Sequence, residues 1–240
     1  MPKSRTAGAP THRKIFGPGR SRLRQAQGER RHALFNLWYH YSPRLQRDVI
    51  LKSDIEFAHF CWLEGDPSVV RYELEPDPII VSTGTKSRQA HFDVLVEFRA
   101  NKPQLREIKS DETDLLPSEI ARREEQTVAA TTAGFDYGMI THATIAEHRQ
   151  LIANWRCALA YQAACRELVL EPQRAELAEI FRLQRHCTVD VALRETDPAM
   201  RSVYLAALFK CLQDGKLASD LELKPLCAYS QVWVTGSQDG

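Results

Sequence analysis

Asp93 and the run Glu107-Ile108-Lys109 offer two carboxylates and an ammonium within one short stretch, a set from which a metal or hydrolytic site can be built. Around them, from His91 to Ser110, two runs rich in Val, Leu, Ile and Phe flank Asn101 and Pro103, the pattern of two antiparallel strands joined by a hairpin loop. Side chains alternate along a strand, so Glu107 and Lys109 share one face and Ile108 takes the other. A loop centred near Ala100 sets Asp93 opposite Glu107, whereas one centred near Asn101 sets it opposite Lys109; either register keeps the three within about 5 to 8 Å. The first strand is otherwise apolar, so Asp93 is expected in a central, largely buried strand, where an unpaired carboxylate is costly. Two compensations are open. Lys109 alone can serve as a structural ion pair, or a divalent metal can be held by Asp93, Glu107 and the carbonyl of Ile108, leaving Lys109 for chemistry.

A third carboxylate comes from the element upstream. Ser53-Asp54-Ile55-Glu56 has the form of a capping box, and Phe57, Phe60, Cys61 and Leu63 continue at helical spacing until Gly65 supplies a stop before Asp66-Pro67. Glu56, Phe60 and Leu63 fall at i, i+4 and i+7, which puts Glu56 on the apolar face, as a cap or as a partner of Asp93 and Glu107. Val69 to Glu75 and Pro78 to Ser82 read as strands, Thr83 to Gln89 as a polar loop, Pro117 to Thr132 as a helix stopped by Gly134, and Phe135 to Thr141 as a further strand. That order describes a mixed sheet with helices on its faces, an α/β core. Gln126 reads as part of a solvated helix face, with an approach to the site as the sharper option. His91 is either a support for Asp93 or an ordinary hydrogen-bonded histidine.

The 240-residue chain can bury a real core, as one domain with an appendage or as two small ones. It has no run of about 18 apolar residues and its basic start precedes no apolar region, so neither a membrane span nor a secretory signal is expected and a cytoplasmic location is. Six cysteines, at 61, 157, 165, 187, 211 and 227, show no Cys-x-x-Cys spacing, which argues against zinc and disulfides.

The net charge of +1 conceals an asymmetry: residues 1–47 hold 11 Lys and Arg against the single acid Glu29, for +10, and the remainder carries −9. This arm suits phosphate, and a nucleic-acid partner is the favoured reading. From Arg30 to Arg47 it gains Phe35, Leu37, Trp38, Tyr39 and Tyr41, aromatics that either stack on bases or, the favoured option, anchor the arm on its own domain.

Residues 144–168 read as a helix. Beyond them come a helix at Pro172 to Gln184, a turn around Val189 to Leu193, a helix from Asp197-Pro198 to Leu212, and strand-like segments Lys216 to Leu223 and Ala228 to Val234. These compose a small C-terminal winged-helix-like domain over 169–240, after a body spanning 48–168. Its third helix carries only Arg201 and Lys210 as cations, which gives protein docking a slight edge over DNA contact.

Glu56 on a helix, Asp93 on one strand and Glu107-Ile108-Lys109 on the next resemble the E…D…(D/E/Q)-x-K pattern of the PD-(D/E)XK nuclease superfamily, with its restriction-endonuclease-like core. Further features resemble one branch, the TnsA endonuclease subunit of heteromeric, Tn-seven-like transposases. They are the basic arm, Glu64-Gly65-Asp66-Pro67 after the glutamate helix, Val69 to Pro76, the Gly134-Phe135-Asp136-Tyr137 strand entry and the C-terminal segment. The best-known TnsA version carries Gln two residues before its lysine; this chain has Glu107, the commoner superfamily form. The resemblance implies Mg²⁺-dependent cleavage, with Mn²⁺ able to substitute, at the 5′ ends of a mobile element in double-stranded DNA. It implies Glu56, Asp93, Glu107 and Lys109 as catalytic residues, with Glu56, Asp93, Glu107 and the Ile108 carbonyl at the metal, and a DDE transposase subunit and an AAA+ ATPase as partners. A stand-alone restriction or repair nuclease, and a non-catalytic DNA-binding scaffold on the same fold, are the alternatives.

Overall fold

The computed structural model describes residues 36–83, 86–109 and 117–236. The basic stretch 1–35, including Arg30, Arg31 and Phe35, and the acidic segment 110–116 lie outside these. The described chain opens with a hairpin, β1 (Trp38–Ser42) and β2 (Arg47–Leu51), pairing Trp38 with Leu51 and Ser42 with Arg47. The sequence reading assigned no strand here. Of the two roles weighed for the aromatics, Trp38 has the anchoring one: it stacks on Phe57 at 4.1 Å between ring centroids, and its Nε1 donates to Asp54 at 2.7 Å.

Helix α1 (Asp54–Gly65) starts at Ser53, whose hydroxyl accepts from Glu56 N–H, and buries Phe57, Phe60 and Leu63. Gly65 is not a left-handed stop. It is the last helical residue, and glycine is required there because a Cβ would lie 2.4 Å from Cδ1 of Trp155. The helix is closed by Asp66, whose N–H donates to the Trp62 carbonyl.

Strand β3 (Val69–Leu74) follows, then β4 (Ile79–Thr83), close to the strand expected at Pro78 to Ser82, which pairs antiparallel with β5 (Lys86–Ala90) where a polar loop was expected. The Lys-Ser-Arg-Gln-Ala composition of β5 hides the pairing, because it carries no apolar alternation. The expected hairpin is formed by β6 (Val94–Phe98) and β7 (Gln104–Ile108). Helix α2 (Pro117–Thr132) has the bounds its sequence predicts and ends at Gly134, whose φ of +90° lets Phe135 N–H reach the Ala130 carbonyl. Strand β8 (Asp136–Ile140) returns parallel to β7. The sheet order is β3-β6-β7-β8, antiparallel at its first two pairings and parallel at the last. The protein is therefore α/β, with a mixed sheet flanked by helices. Val94 and Val96 pack on the α1 side, whereas Phe92 and Leu105 meet Ala129 and Ala130 of α2 on the other.

The helix expected over 144–168 is divided at His148 into α3 (His142–Glu147) and α4 (Arg149–Ala164), and α4 packs against α1. Beyond it lie α5 (Glu171–Gln184), β9 (His186–Thr188), α6 (Val189–Ala192), a 3-10 turn at Pro198–Met200 capped by Asp197, α7 (Arg201–Gln213), β10 (Leu217–Ser219) and β11 (Gln231–Val234). The last two strands are shorter than expected, and β9, unassigned from sequence, completes an antiparallel sheet in the order β10-β11-β9. Phe60, Val96, Trp155, Leu208 and Val232 belong to one apolar cluster, so the C-terminal elements share the core of the central sheet.

At its centre Glu64 is fully buried, accepting from Tyr72 Oη at 2.6 Å and from Ser42 Oγ and Gln213 Nε2. Beside it the Arg44 guanidinium donates to the carbonyls of Leu63 (3.1 Å), Asp66 (2.5 Å), Gln213 (3.2 Å) and Val69. All six cysteines are free thiols. Among the described residues no helix is long and apolar enough to cross a membrane.

Candidate active site

The β6–β7 ladder pairs Val94 with Arg106, Leu95 with Leu105 and Val96 with Gln104. Continued by one residue, this register sets Asp93 opposite Glu107, the alternative that follows from a loop centred near Ala100. Asp93 itself stands in a bend just before β6, half-buried rather than inside a strand. Its backbone is fixed from both sides: its N–H donates to the Arg106 carbonyl at 2.9 Å, and its carbonyl accepts from Glu75 N–H at 2.8 Å. The carboxylate Oδ2 accepts the Ile108 N–H at 2.6 Å. Burial raises the Asp93 pKa, and the Glu107 charge adds to this; the Ile108 N–H, Lys109 and Arg122 oppose it.

Glu107 is buried at 5 % exposure and shares the α2 face of the sheet with Leu105. One oxygen accepts from the Arg122 guanidinium, with Lys109 Nζ 3.4 Å away, and the other accepts from Tyr137 Oη at 3.0 Å. Lys109, one residue past β7, thus pairs with Glu107, and it acts on Asp93 only as a nearby positive charge. Its N–H continues the parallel ladder to the Ile140 carbonyl.

Glu56, in the first turn of α1, is half-buried and turned to its own helix start, accepting from Lys52 N–H at 2.7 Å and Ser53 Oγ at 3.1 Å. Burial raises its pKa, and the negative charge of Asp93 contributes, so the two carboxylates are electrostatic neighbours. Asp93 therefore has Glu107 as its cross-strand neighbour and the Glu56 charge, from the start of α1, as a further negative influence.

Three carboxylates and a carbonyl are the donors a hard divalent ion such as Mg²⁺ prefers. As placed, they are not gathered on one: the Glu107 oxygens accept from Arg122 and Tyr137, and those of Glu56 from its own helix start. Among the described residues no three His, Cys, Asp or Glu side chains are gathered so as to hold a metal.

Gln126, expected on a solvated face, is buried; its Nε2 donates to the His91 carbonyl at 2.9 Å, which docks α2 on the chain leading into β6. The His91 side chain is exposed, and the Asp93 carboxylate is held instead by Ile108 N–H. Arg122 and Tyr137 are the residues that sequence reasoning missed. One signal was present: Arg122 and Gln126 stand at i and i+4 on α2, with Ala129 and Ala130 continuing the face turned to the sheet.

Comparison with protein-family models gives no match, and comparison with curated proteins gives none.

Proposed function

We propose that this protein is a metal-dependent DNA endonuclease of the PD-(D/E)XK kind, acting as the TnsA-like subunit that cuts the 5′ ends of a mobile element beside a DDE transposase and an AAA+ regulator. The observation that carries the reading is the juxtaposition at the end of the central sheet. Asp93 is opposite Glu107 and bonded to Ile108 N–H, Lys109 is one residue on, and Glu56 is within electrostatic reach from the start of α1. The helix–strand–helix–helix–strand–strand order of α5 to β11, with its three-stranded sheet, supports a winged-helix-like unit.

In this reading Asp93, Glu107 and the Ile108 carbonyl, with Glu56 beyond, are the donors called on for Mg²⁺ or Mn²⁺; as they stand, the Glu107 oxygens accept from Arg122 and Tyr137 and those of Glu56 from its helix start, so they are not gathered on one ion. The chain's own parts are clear in chemical terms. Asp93 is fixed by its backbone and its Ile108 bond, and Lys109 carries the positive charge that orients a water and balances charge as the phosphodiester opens.

The test is cleavage of element-end DNA by the purified protein together with its transposase partner, in Mg²⁺ or Mn²⁺. Asp93→Ala is expected to abolish the 5′ cut while keeping the folded state and partner binding; undiminished cutting by that variant overturns the assignment. A second reading, a non-catalytic DNA-binding scaffold, is favoured by one observation, the engagement of both Glu107 oxygens. Absence of divalent-ion binding to the wild type, with DNA present, would select it.

A further inference from the structure

The central sheet ends in two edge strands, β3 and β8, and they are finished differently. Along β3 the pairing with β6 shifts register between Val69 and Arg71, and Val70, Arg71 and Glu73 are exposed. A bulge and charged side chains of this kind keep an edge from pairing with another strand. Strand β8 has neither bulge nor proline. Its register with β7 runs unbroken from Asp136 to Ile140, and its one charge, Asp136, lies at its start with Lys102 Nζ 3.4 Å away.

The ladder identifies the outward backbone groups of β8. Asp136 N–H donates to the Pro103 carbonyl and the Ile140 carbonyl accepts from Lys109 N–H, each at 2.9 Å, so Asp136, Gly138 and Ile140 are bonded toward β7. Tyr137 and Met139, between them, direct N–H and carbonyl the other way, where no strand among the described residues pairs with them. Tyr137, Gly138 and Met139 are all half-buried, which leaves this edge open to an approaching strand.

The free groups are self-complementary about Gly138. With a second β8 antiparallel and the two-fold axis through Gly138, Tyr137 of each copy meets Met139 of the other, and both outward N–H groups and both outward carbonyls of each chain are bonded. Moving the axis to Tyr137 or to Met139 sets the other outward residue against Phe135 or Thr141, whose N–H groups already donate to the Ala130 carbonyl and to Thr144 Oγ1. Glycine suits the axis, since the Cα atoms of such a pair approach to about 4.5 Å. Tyr137 packs on the α2 side of the sheet with Phe92 and Leu105, and Met139, two residues on, shares that side. Across the axis the thioether of one copy therefore meets the phenol ring of the other, a favourable contact, and Asp136 faces Ile140, so no like charges oppose.

We propose that β8 is a self-association edge: two copies of this chain join antiparallel about Gly138 and double the four-stranded sheet. An edge of five residues buries less than the roughly 800 Å² per partner of a standard interface, so the dimer is weak and concentration-dependent. It stands on the edge of the sheet alone and is independent of the nuclease reading.

Sedimentation velocity of the full chain over a concentration series, with hydrogen exchange of the β8 amides, tests it. Wild type is expected to pass from monomer to dimer, with the Tyr137 and Met139 amides slowing as the concentration rises. Met139→Pro removes one outward N–H from each chain, hence two of the four bonds, at an edge position where proline is tolerated, and is expected to weaken the dimer about tenfold or more. Met139→Lys keeps the backbone and sets a charge on the edge, and is expected to weaken it as well. Thermal unfolding checks that each variant is folded. A wild type that stays monomeric throughout overturns the proposal. A dimer that persists undiminished in both variants overturns its placement on β8, and so does dimerisation that leaves the Tyr137 and Met139 amides exchanging as fast as in the monomer.

Discussion

At Asp93 burial outweighs the Ile108 N–H and the neighbouring positive charges, so the carboxyl titrates above the ordinary carboxylate range. A carboxyl whose pKa is higher folded than unfolded holds its proton more tightly in the folded state. Its contribution to stability is fully present below the unfolded pKa and is lost as the pH rises through the folded value. Asp93→Asn, which keeps an oxygen for Ile108 N–H, is therefore expected to raise the melting temperature at neutral pH and to leave it unchanged in acid; equal shifts at both pH values would refute this. On the proposed nuclease reading, the same variant is expected to lose cleavage, and wild-type cleavage is expected to fall away on acidification at a higher pH than an ordinary aspartate would set, which a pH–rate profile reads. The pairing of Asp93 with Glu107 was legible in sequence because a hairpin has a fixed two-residue period, and only the loop centre was left open. Arg122 and Tyr137 were not, since nothing local relates a residue of α2 or β8 to a carboxylate on β7.

The start and end of α1 make separate predictions. Ser53→Ala removes the hydroxyl that accepts Glu56 N–H and donates to its carboxylate, and a lost N-cap costs about 1 kcal/mol, measurable by denaturant unfolding. Gly65→Ala would drive a methyl into Trp155, which α4 cannot readily withdraw because the indole is fully buried. Overpacking of this kind costs about 1–3 kcal/mol, so a melting temperature equal to wild type would show that α1 and α4 can separate. Elements with a strong period or a clear stop, α1, α2 and the β6–β7 hairpin, could be read from the chain. The β1–β2 hairpin and β5 could not, because mixed aromatic, basic and hydroxyl residues carry neither period, whereas β4 was legible as an apolar run after Pro78. At His148 the sequence offers no glycine or proline, yet the helix divides there with His148 stacked on Trp62 at 3.9 Å.

Across the whole molecule, the buried Glu64 and the Arg44 guanidinium tie the first hairpin, α1, β3 and α7 together. Arg44→Ala removes the donor to five carbonyls, four between Leu63 and Val69 and the fifth at the distant Gln213, and is expected to cost about 3 kcal/mol, the scale of breaking a buried charged network. Because the apolar cluster runs from Val49 to Val232, calorimetric unfolding is expected as one transition, with no earlier melting of the C-terminal elements. Two resolved transitions would contradict this. The charge asymmetry could be read from composition, but composition is silent on which residues of the basic stretch pack on the body. Basic residues run to Arg47, whereas Asn36 already bonds Asp54 and Trp38 already stacks on Phe57.

That early hairpin bears on how the gene can be shortened. A fragment starting at Asp48 loses the indole that covers Phe57 and the guanidinium that joins α1 to the end of α7, whereas one starting at Asn36 keeps both. A series of nested deletions expressed in parallel should register the difference as a sharp fall in soluble yield between those two start points.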